Sequence, residues 1–175
     1  MLPTSPGRVH WITGLSGAGK TTLALSLVKA LRERGRTAIL LDGDQLREVL
    51  DAQTGHGREA RFALATRYGK LCKILSEQGV DVVIATISMF RDIHAWNRRN
   101  LPDYVEIYLK VSLDELRRRD PKGIYRAAET GEKRDVAGVD LAVEPPESPD
   151  ILIEHQAGST PESVLAAVLS RLGLS

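Results

Sequence analysis

The run Gly14-Leu15-Ser16-Gly17-Ala18-Gly19-Lys20-Thr21 matches the phosphate-binding pattern G-x-x-x-x-G-K-[ST] in full, and it constrains the chain more than any other stretch. A phosphate chain has to be wrapped by backbone N–H groups. That requires glycine where the backbone turns through positive φ or comes closest to the anion. Lys20 supplies a point charge to the outer phosphates, and Thr21 a hydroxyl to Mg²⁺. The flanks fit this reading. Val9-His10-Trp11-Ile12-Thr13 reads as a buried strand, and Leu23, Ala24, Leu27 and Leu31 recur at helical spacing until Gly35 stops the helix. A helix N-terminus is thereby aimed at the anion.

With 175 residues and 42% hydrophobic content, the chain is long enough for one well-packed domain and short for two, so residues 1–175 are read as a single domain. Lys plus Arg number 24 against 23 Asp plus Glu, which leaves no overall basic excess to draw the protein to nucleic acid or to an anionic membrane. Cys72, the one cysteine, lies in a helical pattern beside Leu71 and Ile74 and reads as a small buried thiol. The absence of an internal disulfide, and a start from Met1 to Gly7 without charged and apolar blocks, fit a reducing cytoplasm. No apolar run is long enough to span a bilayer.

Further along, Thr37-Ala38-Ile39-Leu40-Leu41 is a second apolar run of the kind buried in a parallel sheet, and it ends in Asp42-Gly43-Asp44. Ligands of open α/β sheets gather at the carboxyl ends of strands, so both aspartates are expected to face the phosphate loop. Arg47 would lie one turn beyond Asp44 on the same face. A loop containing His56 leads into a long helix with Ala60, Leu64, Tyr68, Leu71 and Leu75 on one face, closed by Gly79. Val80 to Thr86 is the strongest strand signal, and its carboxyl end delivers Ile87-Ser88-Met89-Phe90-Arg91 to the site. A short helix over 93–100, a strand over 104–109 and a helix from the S-x-x-E capping box at Ser112 to about Arg119 follow.

From Asp120 to Pro149 periodicity fades among glycines, prolines and mixed charge, as expected of a mobile lid. Asp150 to Ile153 is a last strand, and Thr160 and Pro161 open a closing amphipathic helix. Strands alternating with helices predict an α/β fold of the phosphate-loop NTPase type, with a parallel five-stranded sheet covered by helices on both faces.

A phosphate loop alone serves kinases, ATPases and GTP-driven switches, but the guanine-reading N-K-x-D of a switch is absent. Two carboxylates at one strand end and several arginines beside it favour a kinase. Phosphoryl transfer is mainly positioning and charge neutralisation, with an acidic residue to accept or orient the acceptor's proton. Asp44 is the candidate for that role, and Asp42 for holding a Mg²⁺-bound water.

The ordered motifs G-L-S-G-A-G-K-T-T, L-D-G-D-x-L-R, I-S-x-F-R, R-D-P-K-G-I-Y and G-V-D-x-x-x-E-x-P together resemble the adenylylsulfate kinase family over nearly the whole chain. The resemblance implies ATP as phosphoryl donor with Mg²⁺, transfer to the ribose 3′-hydroxyl of adenylylsulfate, a place in sulfate assimilation, and a homodimer. It assigns ATP to Gly14 through Thr21 with Thr22, and to Arg117 on the helix that borders the base. Asp44 matches the acidic residue near the reacting hydroxyl, while Arg47, Arg61 and Arg91 match arginines around the acceptor. Ile87 and Ser88 match acceptor-loop positions. Lys122 and Tyr125 match the start of the lid, and Lys122 joins Lys20 and Asp44 as a catalytic candidate.

Four positions depart from the family pattern. The two phenylalanines that sandwich the acceptor's adenine are replaced by His56 and Val136, an asparagine by Leu64 and a proline by Met89. Stacking contributes about 1 to 3 kcal/mol per base, so adenine selection is expected to weaken. The acceptor is therefore adenylylsulfate by default. The alternatives are another nucleotide 5′-anhydride, such as cytidine diphosphoramidate in surface-glycan modification, or a nucleotide-binding regulatory protein without chemistry.

Overall fold

Short apolar runs bounded by turn residues pair into one parallel sheet because each can bury its two faces only between layers of helix. The computed structural model describes residues 5–50 and 57–174. Its elements run β1 (Val9–Thr13), α1 (Lys20–Glu33), β2 (Ala38–Asp42), α2 (Gly43–Leu50), α3 (Arg58–Ser76), β3 (Asp81–Thr86), α4 (Arg91–Asn100), β4 (Tyr104–Lys110), α5 (Leu113–Arg119), α6 (Ile124–Glu129), β5 (Ile151–Glu154) and α7 (Pro161–Arg171). The strand order is β2-β3-β1-β4-β5. Every neighbouring pair is parallel, and Val9 of the central strand stands beside Val82 on one side and Tyr104 on the other.

The period of two along the strands separates the two cores. Val9, Trp11, Val82 and Ile84 face α3 and α4, against Leu64, Tyr68, Cys72 and Ile93. Ile12, Val83, Ile107 and Ile151 face the other way, against Leu27 and Leu31 of α1, Leu116 of α5 and Val168 of α7. The predicted five-stranded parallel sheet with helices on both faces is the fold observed. Among the described residues, no helix is long and apolar enough to cross a membrane.

Three local expectations change. The buried line of α3 is Leu64, Ala65, Tyr68, Gly69, Cys72 and Ser76, so Ala60, Leu71 and Leu75 lie off its centre. The reason is close approach: a Cβ on Gly69 would sit 2.8 Å from Asn97 Oδ1 and 3.0 Å from the Trp96 ring, so small residues set this contact. The capping box at Ser112 forms only in half. Ser112 Oγ accepts from Glu115 N at 3.3 Å, while the Glu115 carboxylate turns to Arg118 and Arg119. Finally, residues 120–149 contain a helix that periodicity did not reveal. At six residues α6 is under two turns, and it is held by the Asp120 carboxylate, which accepts from the backbone N–H of Tyr125 at 3.2 Å and Arg126 at 3.0 Å.

Candidate active site

The phosphate loop joins β1 to α1 at the middle of the sheet, where the chain departs to either side and a crevice opens. Gly14, Gly17 and Gly19 all take positive φ. At Gly14 the requirement is double, since a Cβ would also lie 2.7 Å from the Leu109 carbonyl oxygen. Gly19 caps α1 in the left-handed region without any side-chain cap, so the first amides of the helix keep their donors for an anion. Lys20 Nζ donates to the Leu15 carbonyl of its own loop at 2.8 Å.

Burial brings the Lys20 ammonium down to about 8, with the neighbouring charge of Lys122 adding to the effect and those of Asp44 and Asp42 opposing it. A bound phosphate chain restores the charged form, so binding takes up a proton wherever the free lysine has lost one. ATP affinity is therefore expected to be flat below pH 8 and to fall by up to about tenfold per unit above it. Titration calorimetry in buffers of different ionisation enthalpy reads this uptake directly. Affinity independent of pH between about 7 and 9 would contradict it.

Asp42 organises the next layer. Its carboxylate accepts from Thr21 Oγ1 at 2.7 Å and from the backbone N–H of Asp44 at 2.9 Å, locking the start of α2 to the start of α1. Thr21 and Asp42 thus place two hard oxygen donors side by side beside the loop, a donor set suited to Mg²⁺ with several waters retained. Asp44 is ion-paired to Lys122, which follows α5. The hydrogen bond from Lys122 holds the Asp44 carboxyl below its ordinary range, so it is ionised at neutral pH.

A cavity of about 290 Å³ is lined by the loop and by Asp42, Asp44, Arg47 and Lys122. Its walls also include Arg61, Leu64 and Tyr68 of α3, Ile87 to Phe90 after β3, and Leu141 to Val143 of the segment before β5. Burial and the neighbouring guanidinium of Arg47 lower the Arg61 pKa, which marks a concentration of positive charge suited to an anionic ligand. Ser88 takes φ 32°, rare for a non-glycine residue, and its hydroxyl lies 2.7 Å from Thr86 Oγ1. Strain of this kind persists only where its surroundings impose it.

A second cavity, of about 230 Å³, opens on the other side of the loop, lined by Ala18, Leu109, Arg119, His155 and Pro161 among others. Gly19 and Thr22 belong to the walls of both cavities.

Of the site residues expected from sequence, Ser16, Gly17, Gly19, Lys20, Thr21, Thr22, Asp42, Asp44, Arg47, Arg61, Ile87, Ser88 and Lys122 come together around the larger cavity. Leu64 and Met89 share its wall. Tyr125 is instead a clamp: its ring is buried and its hydroxyl donates to the Ser16 carbonyl at 2.8 Å. Val136 is buried in the core with Tyr125 and Leu116. Arg91 is 72% exposed and pairs with Glu147 at 2.9 Å, and Arg117 pairs with Glu129 at 3.3 Å. His56 lies outside the described residues. Sequence reasoning passed over Tyr68, which lines the cavity while donating to the Gly43 carbonyl at 2.9 Å. It named Phe90 only as part of the segment after β3 and not as a wall of the cavity, and it passed over Arg119, two residues beyond Arg117 and on the opposite side of α5.

A parallel sheet of this order with an intact phosphate loop, a Thr–Asp pair and a carboxylate across the cavity defines a phosphate-loop kinase. The family model for adenylylsulphate kinase matches residues 6–154, and the chain belongs to that family. It is thus an ATP-dependent kinase. The cytidine diphosphoramidate kinase of Campylobacter jejuni is 38% identical over 166 residues, covering 95% of this chain and 96% of that one. The adenylyl-sulfate kinase of Chloroflexus aurantiacus is 39% identical over 176 residues, covering 99% and 95%. Among solved structures, the Mycobacterium tuberculosis APS kinase CysC in complex with AMPPNP and APS superimposes with a TM-score of 0.89 at 30% identity, covering 97% of this chain and 99% of that one.

Proposed function

We propose that the protein transfers the γ-phosphoryl group of ATP to the ribose 3′-hydroxyl of a nucleotide 5′-anhydride, with adenylylsulfate as the default acceptor, yielding 3′-phosphoadenylylsulfate and ADP. The observation that carries this reading is the placement of an ionised Asp44 across one cavity from Lys20, with Arg47 and Arg61 beside it. The loop amides and Lys20 bind the donor phosphates, and the cavity shared by Arg119 and His155 takes the donor's base. Thr21 would hold Mg²⁺ directly and Asp42 through water. When bound, the ion neutralises charge on the β- and γ-phosphates.

Asp44 orients the acceptor hydroxyl and takes its proton as the bond to phosphorus forms. A carboxylate with a lowered pKa is a weak base, so orientation is the larger part of its work in a loose transition state. Lys122, released from Asp44 by substrate, is placed to neutralise the transferring group, while Arg47 and Arg61 hold the acceptor's 5′-anhydride.

A second acceptor, cytidine diphosphoramidate, is favoured by one feature of the cavity. Val136 belongs to the core and Leu64 and Met89 form an aliphatic wall, where the family pattern provides stacking and amide groups for adenine. The name of the Campylobacter relative agrees with that choice. Steady-state kinetics with both acceptors decides. Selective turnover of adenylylsulfate removes the cytidine reading, selective turnover of the cytidine compound removes the default, and turnover of neither removes the acceptor class.

A further inference from the structure

Glu144 lines neither cavity, yet three segments that do are joined through it. Its backbone N–H donates to the Met89 carbonyl at 3.0 Å. Its carboxylate accepts from the backbone N–H of Arg91 at 2.8 Å and from the Arg58 guanidinium at 2.7 Å. Arg91 is the first residue of α4, whose N-cap, Phe90, offers no side-chain acceptor. The orphan amide at that helix start is therefore capped from 53 residues away, by a chain segment that has just lined the cavity with Leu141 to Val143.

Arg58 is the first residue of α3, and its guanidinium also lies over the Phe90 ring, 5.1 Å from the centroid. Phe62, one turn further along α3, meets the same ring edge-on at 5.4 Å. Phe90 itself faces the cavity. One carboxylate thus fixes the spacing between the starts of two helices and the segment before β5.

We propose that Glu144 is a positioning residue for the acceptor: by clasping residues 141–143 to the starts of α3 and α4, it sets the width of the acceptor cavity and leaves the donor loop untouched. As an isolated surface ion pair the contact with Arg58 would count for little. Its effect is geometric, because a displacement of about 1 Å in a positioning wall can cost on the order of a hundredfold in productive binding. The Arg91 amide and the Arg58 guanidinium hold the carboxyl below the usual glutamate range, so the clasp stays ionised at neutral pH. The acceptor half of the proposal rests on the function proposed above, whereas the clasp itself does not.

Two measurements on Glu144→Ala and Glu144→Gln, each against wild type, test it. In hydrogen exchange of the ligand-free protein, Glu144→Ala is expected to lose protection in segments 86–92 and 141–145 together, with residues 9–13 unchanged. Loss in neither or in only one overturns the clasp. In steady-state kinetics with adenylylsulfate and cytidine diphosphoramidate, Glu144→Ala is expected to raise acceptor KM about tenfold or more, with ATP KM within about twofold. Glu144→Gln keeps an oxygen for the Arg91 amide but no charge for Arg58, and should raise acceptor KM only about threefold. An unchanged acceptor KM, or equal rises in both KM values, refutes the positioning role. No turnover by wild type refutes the function proposed above, and the exchange comparison still decides the clasp.

Discussion

Asp44→Asn is expected to lower kcat by about 10²- to 10⁴-fold while leaving ATP affinity within about twofold. The amide keeps the size of the carboxylate, but its neutral oxygen holds the acceptor hydroxyl more weakly than the charged one and it cannot take the proton. Fold stability should hardly move, because the pair with Lys122 that the substitution removes is exposed at both ends. A coupled assay of ADP release with whichever acceptor the wild type uses, beside calorimetric ATP binding, separates the two quantities. Undiminished turnover would take Asp44 out of the reaction.

Lys20→Met is expected to cost about 10²- to 10³-fold in kcat and to weaken donor binding, since one preorganised donor to the developing charge is gone. Its effect on the empty fold runs the other way. In the folded protein the lysine titrates at about 8 against 10.5 for an ordinary lysine, so the unfolded chain binds more protons between those values and wild-type stability rises with pH across that window. Below pH 8 the lysine is charged and the cost of its partial desolvation is present. Methionine removes it, so the ligand-free variant should melt higher at pH 7, and the gap should narrow at about pH 9.5. Thermal melts at the two pH values read the sign. A variant that melts lower at pH 7 would mean that the bond from Lys20 to the Leu15 carbonyl outweighs the burial.

The sheet was readable because its strands are apolar runs whose burial is dictated by period: Val9, Trp11 and Ile12 alternate between two cores as their spacing requires. The donor loop was readable for a different reason. Its glycines are needed by backbone geometry, and Gly14 would collide with Leu109 if it carried a Cβ. The segment from Asp120 to Pro149 resisted reading because its order comes from side chains bonding to backbone. Asp120 holds α6, and Asp140 accepts from the amides of Asp135 and Val136 at 2.9 and 2.6 Å. Such contacts leave no period in the sequence. The wall of the larger cavity was least legible, since it is assembled from three distant segments. Arg91 turns out to Glu147, a partner far along the chain that no local pattern announces.

Gly19 and Thr22 form one thin wall between two cavities, the sides of a single turn of chain. For ligand design, that makes the protein a natural target for a bisubstrate compound: two weak fragments joined by a short anionic linker draped over the loop. Each fragment then raises the effective concentration of the other to about the millimolar range. Exchanging only the acceptor-side fragment would turn a set of such compounds into a readout of what the enzyme was shaped to phosphorylate.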